Sequence, residues 1–312
     1  MKLKQNGSLL DNHGLWYYSV RLPGESKRRL VPLRAPGSKH TMRTDRPRKM
    51  AKEAAARYWE EHTRQPKCVL AKSDSERKSY LDEIYRTIYI RDIIERNKIK
   101  EPAILESLLD VVMSGIGGLT NPNKISDTMN TEAKMKTNNV TISKYLDLLE
   151  NAFLIAKARR YDVKGRKHLK SLNKYYTIDP GLRNARVNFR QNEQTHLMEN
   201  VIYNELIRRG YSVDVGIVQL ETRASGKHEV RQYEIDFVVN KADARIYIQS
   251  AYAIPDAEKR NQETFSLRHV NDNFRKVVIT GNLHEKLWHD DNGITFIGIV
   301  PFLLDPHSLE TL

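Results

Sequence analysis

Apolar residues along this 312-residue chain recur at two spacings, and the change from one to the other organises it. Over residues 80–97, Leu81, Ile84, Tyr85, Ile88 and Tyr89 fall on one helical stripe. Pro102 opens a second helix through Leu105, Leu108, Leu109, Val112 and Met113, which Gly115, Gly117 and Gly118 stop. A short helix follows over residues 122–129. A further helix, capped by Asn138 or Asn139, buries Ile142, Tyr145, Leu146 and Leu149 at i, i+3, i+4 and i+7. The pattern then shortens, and residues 153–160 and 174–178 read as two strands. Basic residues crowd between them, from Arg159 and Arg160 to Lys170.

After a helix over residues 196–209, closed by Gly210, branched and aromatic residues mark strands at 211–218, 230–239 and 245–252. A helix at 256–270 and strands at 275–280 and 293–299 complete an α-β-β-β-α-β-β order, which predicts an α/β layer with a mixed sheet. One position breaks the apolar pattern. Asp236 sits inside Ile235-Asp236-Phe237-Val238-Val239, where a carboxylate costs several kcal/mol unless it is paired.

Near the start, residues 16–22 and 28–33 read as short strands joined by a turn at Pro23-Gly24. A helix follows, capped by Thr44 or Asp45, with Met50, Ala54, Ala55 and Tyr58 at helical spacing. Charge is concentrated here. The chain carries +13 overall; residues 1–66 hold 15 Lys and Arg against 6 Asp and Glu, so nine of those charges fall in the first fifth. A basic sheet-and-helix module points to a polyanionic partner, and Arg21, Lys27, Arg28 and Arg29 are its candidate DNA contacts. Cys68 is the only cysteine, so no intrachain disulfide forms, as expected in a reducing compartment. No apolar run approaches about 18 residues and no apolar signal core precedes the first strand. The expectation is a soluble, cytoplasmic protein with no membrane partner.

The stretch Gly14-Leu15-Trp16-Tyr17-Tyr18-Ser19-Val20-Arg21-Leu22-Pro23-Gly24 and the Ala-rich helix resemble the N-terminal arm-type DNA-binding domain of phage tyrosine recombinases. The likeness covers about 60 residues. His40-Thr41-Met42-Arg43 matches the catalytic His-x-x-Arg of those enzymes by spelling only, since no catalytic Arg or Tyr context surrounds it.

A second resemblance covers residues 80–312. It runs through Tyr161-Asp162-Val163-Lys164-Gly165, Lys174-Tyr175-Tyr176-Thr177-Ile178-Asp179-Pro180-Gly181-Leu182, Glu199-Asn200-Val201-Ile202, Glu234-Ile235-Asp236-Phe237-Val238 and Tyr247-Ile248-Gln249. These blocks resemble the C-terminal region of predicted bacterial and archaeal AAA-type ATPases, a region of unknown function that couples a winged helix to a PD-(D/E)xK nuclease-like domain. The implied fold is α+β and multidomain. Residues 1–66 form the arm-like module, 67–79 a linker, 80–190 a winged helix-turn-helix and 191–312 the nuclease-like domain with its mixed sheet. The residues themselves give the same winged helix-turn-helix, as three helices plus a basic hairpin: the Asn139 helix, with Thr141 and Lys144 pointing away from the core, enters a major groove, and Lys164, Arg166 and Lys167 of the hairpin grip phosphates.

In the nuclease pattern a helix Glu and two strand acids hold Mg²⁺ or Mn²⁺, and a Lys two residues beyond the last acid orients the attacking water. By position those roles fall to Glu199, Asp236 and Gln249, with Asp236 and Gln249 as metal ligands, while Ala251 stands where the Lys belongs. A displaced lysine, for instance Lys276 on a neighbouring strand, could substitute for it. The chain contains no GxxxxGK[ST], so no ATP site is expected. His284, His289, Asp290 and Asp291 match no standard zinc spacing, and Asn292-Gly293 marks a turn there. The leading expectation is a DNA-binding protein with a degenerate nuclease-like domain, a remnant of or partner to an AAA-type ATPase. The alternatives are a divalent-metal-dependent DNA endonuclease and an adaptor docking onto a separate ATPase.

Overall fold

A computed structural model describes residues 7–20, 27–34, 40–45, 48–63, 73–88, 93–169, 172–188, 193–224 and 227–310. The chain divides into two units, Met1–Tyr80 and Leu81–Leu312.

In the first unit, β1 (Gly7–Asn12), β2 (Leu15–Val20) and β3 (Arg29–Pro32) form an antiparallel sheet in that order. The sequence pattern predicts only the last two strands. β1 exists because His13 and Gly14 both adopt positive φ, the geometry of a tight two-residue hairpin, and Asp11 Oδ1 accepts the Gly14 N–H at 2.9 Å. Tyr18 and Val20 pack with Leu33, Met42 and the Ala51, Ala54 and Ala55 face of α1 (Arg48–Thr63). Lys27, Arg28 and Arg29 are exposed, and Arg21 lies outside the described residues.

α2 (Asp74–Ile88) begins inside the stretch read as a linker. Ser73 Oγ accepts the Glu76 N–H, so those polar residues are a capped first turn rather than a spacer. α3 (Pro102–Ser114) is followed by a two-residue strand, β4 (Leu119–Thr120). Then come α4 (Pro122–Thr131) and α5 (Asn139–Asn151), whose predicted stripe of Ile142, Tyr145, Leu146 and Leu149 is buried with α3.

Two strands appear where they were predicted: β5 (Ile155–Ala158) pairs antiparallel with β8 (Asn173–Thr177), and β4 completes that small sheet. The basic stretch between them differs from the expected wing tip. β6 (Arg160–Asp162) and β7 (Lys167–His168) form a hairpin that joins the large sheet, with β6 parallel to β9 (Ser212–Ala224). The cause is alternation: Tyr161 and Val163 bury into the large sheet's core while the basic residues stay in solvent.

The remaining elements are α6 (Pro180–Arg186), α7 (Gln194–Arg208), β10 (Lys227–Lys241), β11 (Ala244–Ala251), α8 (Ala257–Arg268), β12 (Arg275–Thr280), β13 (Trp288–His289), β14 (Thr295–Gly298) and α9 (Ile299–Leu304). The eight-stranded sheet is mixed, in the order β13-β14-β12-β11-β10-β9-β6-β7. α7 and α9 cover one face through Ile202, Tyr203, Leu206 and Phe302, and Leu267 of α8 covers the other. The fold is therefore α+β, with several sheets. Among the described residues, no helix is long and apolar enough to cross a membrane.

Candidate functional site

α7 lays an apolar stripe on the sheet, yet Glu199, Asn200 and Glu205 are buried in the same helix. Each has a partner. Asn200 clamps the end of β8, accepting the Thr177 N–H and donating to the Thr177 carbonyl, both at 2.8 Å. Asn204 donates to the carbonyls of Thr177 and Ile178, each at 3.0 Å. Glu205 is held by Arg208 and Arg209, whose hydrogen bonds keep its carboxyl below the usual carboxylate range. This clamp fixes α7 against β8 and so sets the position of Glu199.

Glu199 Oε1 accepts two hydrogen bonds, from the Tyr176 hydroxyl at 2.6 Å and from Lys174 Nζ at 3.0 Å. Lys174 and Tyr176 lie two residues apart on β8, so both reach the same face. Lys174 Nζ also lies 2.6 Å from Glu234 Oε1. The lysine is 5% exposed, Glu199 6% and Asp236 8%.

A β-bulge brings Asp236 to this cluster. Pairing between β10 and β9 slips between Ile235 and Val238, and Gly216 sits beneath the slip. A Cβ at Gly216 would come within 2.7 Å of Val238 Cγ2, so only glycine lets the bulge close there. Asp236 Oδ2 accepts the Ser250 N–H from β11 at 2.8 Å.

The electrostatics bind these groups into one site. Burial raises the Asp236 carboxyl well above the usual carboxylate range, and the Glu199 charge pushes the same way; Lys174 and the Ser250 N–H pull back without reversing it. Burial pulls Lys174 down, but the charges of Glu199, Asp236 and Glu234 together outweigh it and hold the ammonium above its ordinary value. Tyr176 is raised well above its usual range, first by burial and then by Glu199. Three carboxyl groups thus share one internal cation.

Asp236's folded pKa lies above its unfolded one. Its stabilising contribution is therefore fully present below the unfolded pKa and is lost as pH rises through the folded value. Asp236→Asn keeps the acceptor and stays neutral. It should raise the unfolding free energy by about 1–2 kcal/mol at pH 8 and by almost nothing near pH 4. Urea melts at the two pH values check this, and an equal gain at both would contradict it.

The structure brings Glu199 and Asp236 together and separates Gln249 from them. Ile246 and Ile248 belong to the core under α7, whereas Tyr247 and Ala251 belong to the core under α8. Alternation puts Gln249 on the α8 side and Ser250 on the α7 side, facing the carboxylates. Gln249 Oε1 and Ser250 Oγ are buried without a hydrogen-bond partner among the described residues. Lys276 Nζ is spent on the carbonyls of Val270 at 3.0 Å and Asp272 at 3.4 Å, so it does not stand in for the missing lysine.

The Mg²⁺ or Mn²⁺ that the nuclease pattern implies does not fit this arrangement. Lys174 Nζ lies between Glu199 and Glu234, and Gln249 is on the other face. Among the described residues, no three His, Cys, Asp or Glu side chains are placed to hold one metal ion. Asp290 accepts the N–H groups of Asn292 and Ile294, which makes its neighbourhood a turn.

The candidate nucleic-acid contacts lie elsewhere. Lys144 is exposed, as are Lys164 and Arg166 in the β6–β7 turn and Lys167 at the start of β7; Asp162 fixes the turn by accepting the Gly165 N–H at 3.0 Å. Asn139 donates to Asn123 Oδ1 at 2.6 Å, tying α5 to α4. The Thr141 N–H is taken by the capping Asn138. Sequence reasoning missed Lys174 and Glu234. The available signal was a lysine inside the buried strand Asn173-Lys174-Tyr175-Tyr176-Thr177 and a second acid two residues before Asp236.

A family described as a domain of unknown function (DUF8612) matches residues 65–193. An uncharacterized protein from Haemophilus influenzae is 40% identical over 228 residues, which is 73% of this chain and 52% of that protein. The uncharacterized protein MJ1544 from Methanocaldococcus jannaschii is 25% identical over 243 residues, 76% of this chain and 52% of its own. The chain spans about half the length of the curated relatives it matches. Among solved structures, protein VC1899 from Vibrio cholerae aligns over 67% of this chain and 55% of its own at 15% identity, with a TM-score of 0.26. A likeness that weak says nothing about this fold.

Proposed function

We propose that this is a DNA-binding protein whose large-sheet region is a nuclease-like domain that no longer cuts. In this reading α3 to α5 and the β4-β8-β5 sheet are a winged helix-turn-helix, the eight-stranded sheet with α7 and α8 is PD-(D/E)xK-like, and the first unit is the arm-like module. The observation that carries DNA contact is the exposed start of α5. From Ala133 to Leu146 there is no acidic residue, and Lys134, Lys136, Asn138, Asn139, Val140 and Lys144 are all exposed, Val140 to 72%. A cationic helix N-terminus with an apolar tip suits a phosphate-lined groove.

Loss of cutting follows from Lys174. An ammonium already neutralises the carboxylates that would hold a divalent ion, and Ala251 supplies no base-orienting amine. A separate AAA-type ATPase remains a proposed partner on the resemblance of residues 80–312. The endonuclease alternative requires Mn²⁺-dependent cleavage that Asp236→Ala abolishes.

Duplex affinity measured by fluorescence anisotropy across a salt series tests the main reading. Engagement of Lys144, Lys164, Arg166 and Lys167 should give a log–log slope of about −3 to −4. Affinity that is weak and indifferent to salt would remove the proposal.

A further inference from the structure

A cavity of about 390 Å³ opens where the chain leaves two parallel strands, β11 and β12, with Phe296 of the neighbouring parallel strand β14 in its wall. Crevices at the carboxyl ends of parallel strands are where open α/β sheets take ligands. Tyr252 follows Ala251 directly, so the cavity begins two residues beyond Ser250 of the carboxylate site. Its walls are tight: a Cβ on Gly281 would lie 2.3 Å from the Tyr252 carbonyl oxygen, so the loops after β11 and β12 pack backbone to backbone.

The polar groups in the cavity are unevenly spent. Glu285 accepts the Thr280 hydroxyl and the Trp288 indole N–H, the latter at 2.8 Å, so both its oxygens are occupied. Trp288 stacks on Phe296, with ring centroids 4.3 Å apart and planes 9° from parallel. Over the Trp288 ring lies the Arg260 guanidinium from α8, its carbon 5.3 Å from the centroid. Arg260 Nε is buried and has no hydrogen-bond partner, and no carboxylate pairs with this side chain among the described residues. The unspent group in the cavity is therefore a cationic donor beside aromatic rings. It calls for an anionic acceptor joined to a planar group, in a volume that suits one nucleotide.

We infer that this cavity binds a phosphate-bearing nucleotide, with the phosphate on Arg260 and the base against the exposed ring of Tyr252. Two sources share that chemistry: a free mononucleotide and the unpaired 5′-phosphorylated end of a DNA strand. The strand end as the source rests on the DNA-binding reading above; the cavity's chemistry does not.

The test titrates wild type and Arg260→Gln with a deoxynucleoside monophosphate, with single strands carrying or lacking a 5′-phosphate, and with a covalently closed duplex that has no ends. Arg260→Gln should weaken the monophosphate and the phosphorylated strand at least about tenfold and leave the closed duplex within about twofold. Arg260→Lys keeps the charge without the Nε donor and should lose about threefold or more; it serves if the glutamine variant does not fold. Equal affinities for all three proteins would overturn the assignment. Wild-type binding to closed duplex but to neither phosphate ligand would also overturn it, and would leave the DNA-binding reading standing. Binding of the monophosphate without duplex affinity would do the reverse.

Discussion

Lys174→Met should cost about 3–5 kcal/mol of stability at pH 7, because it strips the shared cation from Glu199, Glu234 and Asp236 and leaves buried charge unpaired. Chemical denaturation of both proteins measures the loss. Its pH dependence identifies the cause. In wild type, the folded pKa of Lys174 lies above the unfolded one. Its contribution is then fully present below the unfolded value and disappears only as pH climbs through the folded value, deep in the alkaline range. The variant's deficit should instead narrow towards acid, as the orphaned carboxyl groups take up protons. A constant deficit from about pH 4 to pH 8 would mean that lost packing, not lost charge, is responsible.

Reversing three charges of the β6–β7 hairpin is the second large effect. Lys164→Glu, Arg166→Glu and Lys167→Glu together should lower duplex affinity about a hundredfold at about 100 mM salt, and the log–log salt slope should fall with it. All three side chains are exposed, so thermal stability should hardly change. Unchanged affinity in the folded triple variant would take this hairpin out of the proposed DNA surface and leave α5 alone. The structure gives a reason to treat the turn as rigid. Its base is a hydrogen-bonded hairpin, and its bend is closed by Asp162, itself buried. Charges presented from such a base lose less freedom on binding than charges on an unanchored loop.

Much of this architecture could be read from the chain. α3 and α5 announce themselves by a 3.6-residue stripe, and Pro102 and Asn138 mark their starts as the structure has them. The strands after Gly210 follow from branched and aromatic residues, though β9 and β10 run well past the predicted ends because a long hairpin needs no apolar signal in its outer part. Elements of two or three residues were invisible. β4, β6 and β13 are strands only because a neighbour offers its edge, and that is a tertiary fact.

The site was legible in part. An acid within an apolar run must have a partner, and Asp236 has one in the Ser250 N–H. Which partner cannot be deduced from spacing, because Lys174 lies 62 positions upstream on a strand of another sheet. The placement of Gln249 shows a different limit. Motif spelling counts residues, whereas the pleat decides sides, and here it sets Ser250 rather than Gln249 towards the carboxylates.

The parallel seam between Arg160–Asp162 and Val215–Ile217 carries a further consequence. The helix-rich half of Leu81–Leu312 lends an outer ribbon to the other half, so neither half owns a finished border. Any rearrangement that severs them would bare a row of amide and carbonyl groups beside Val215 and invite self-association. Folding the two halves together is what keeps that edge paired.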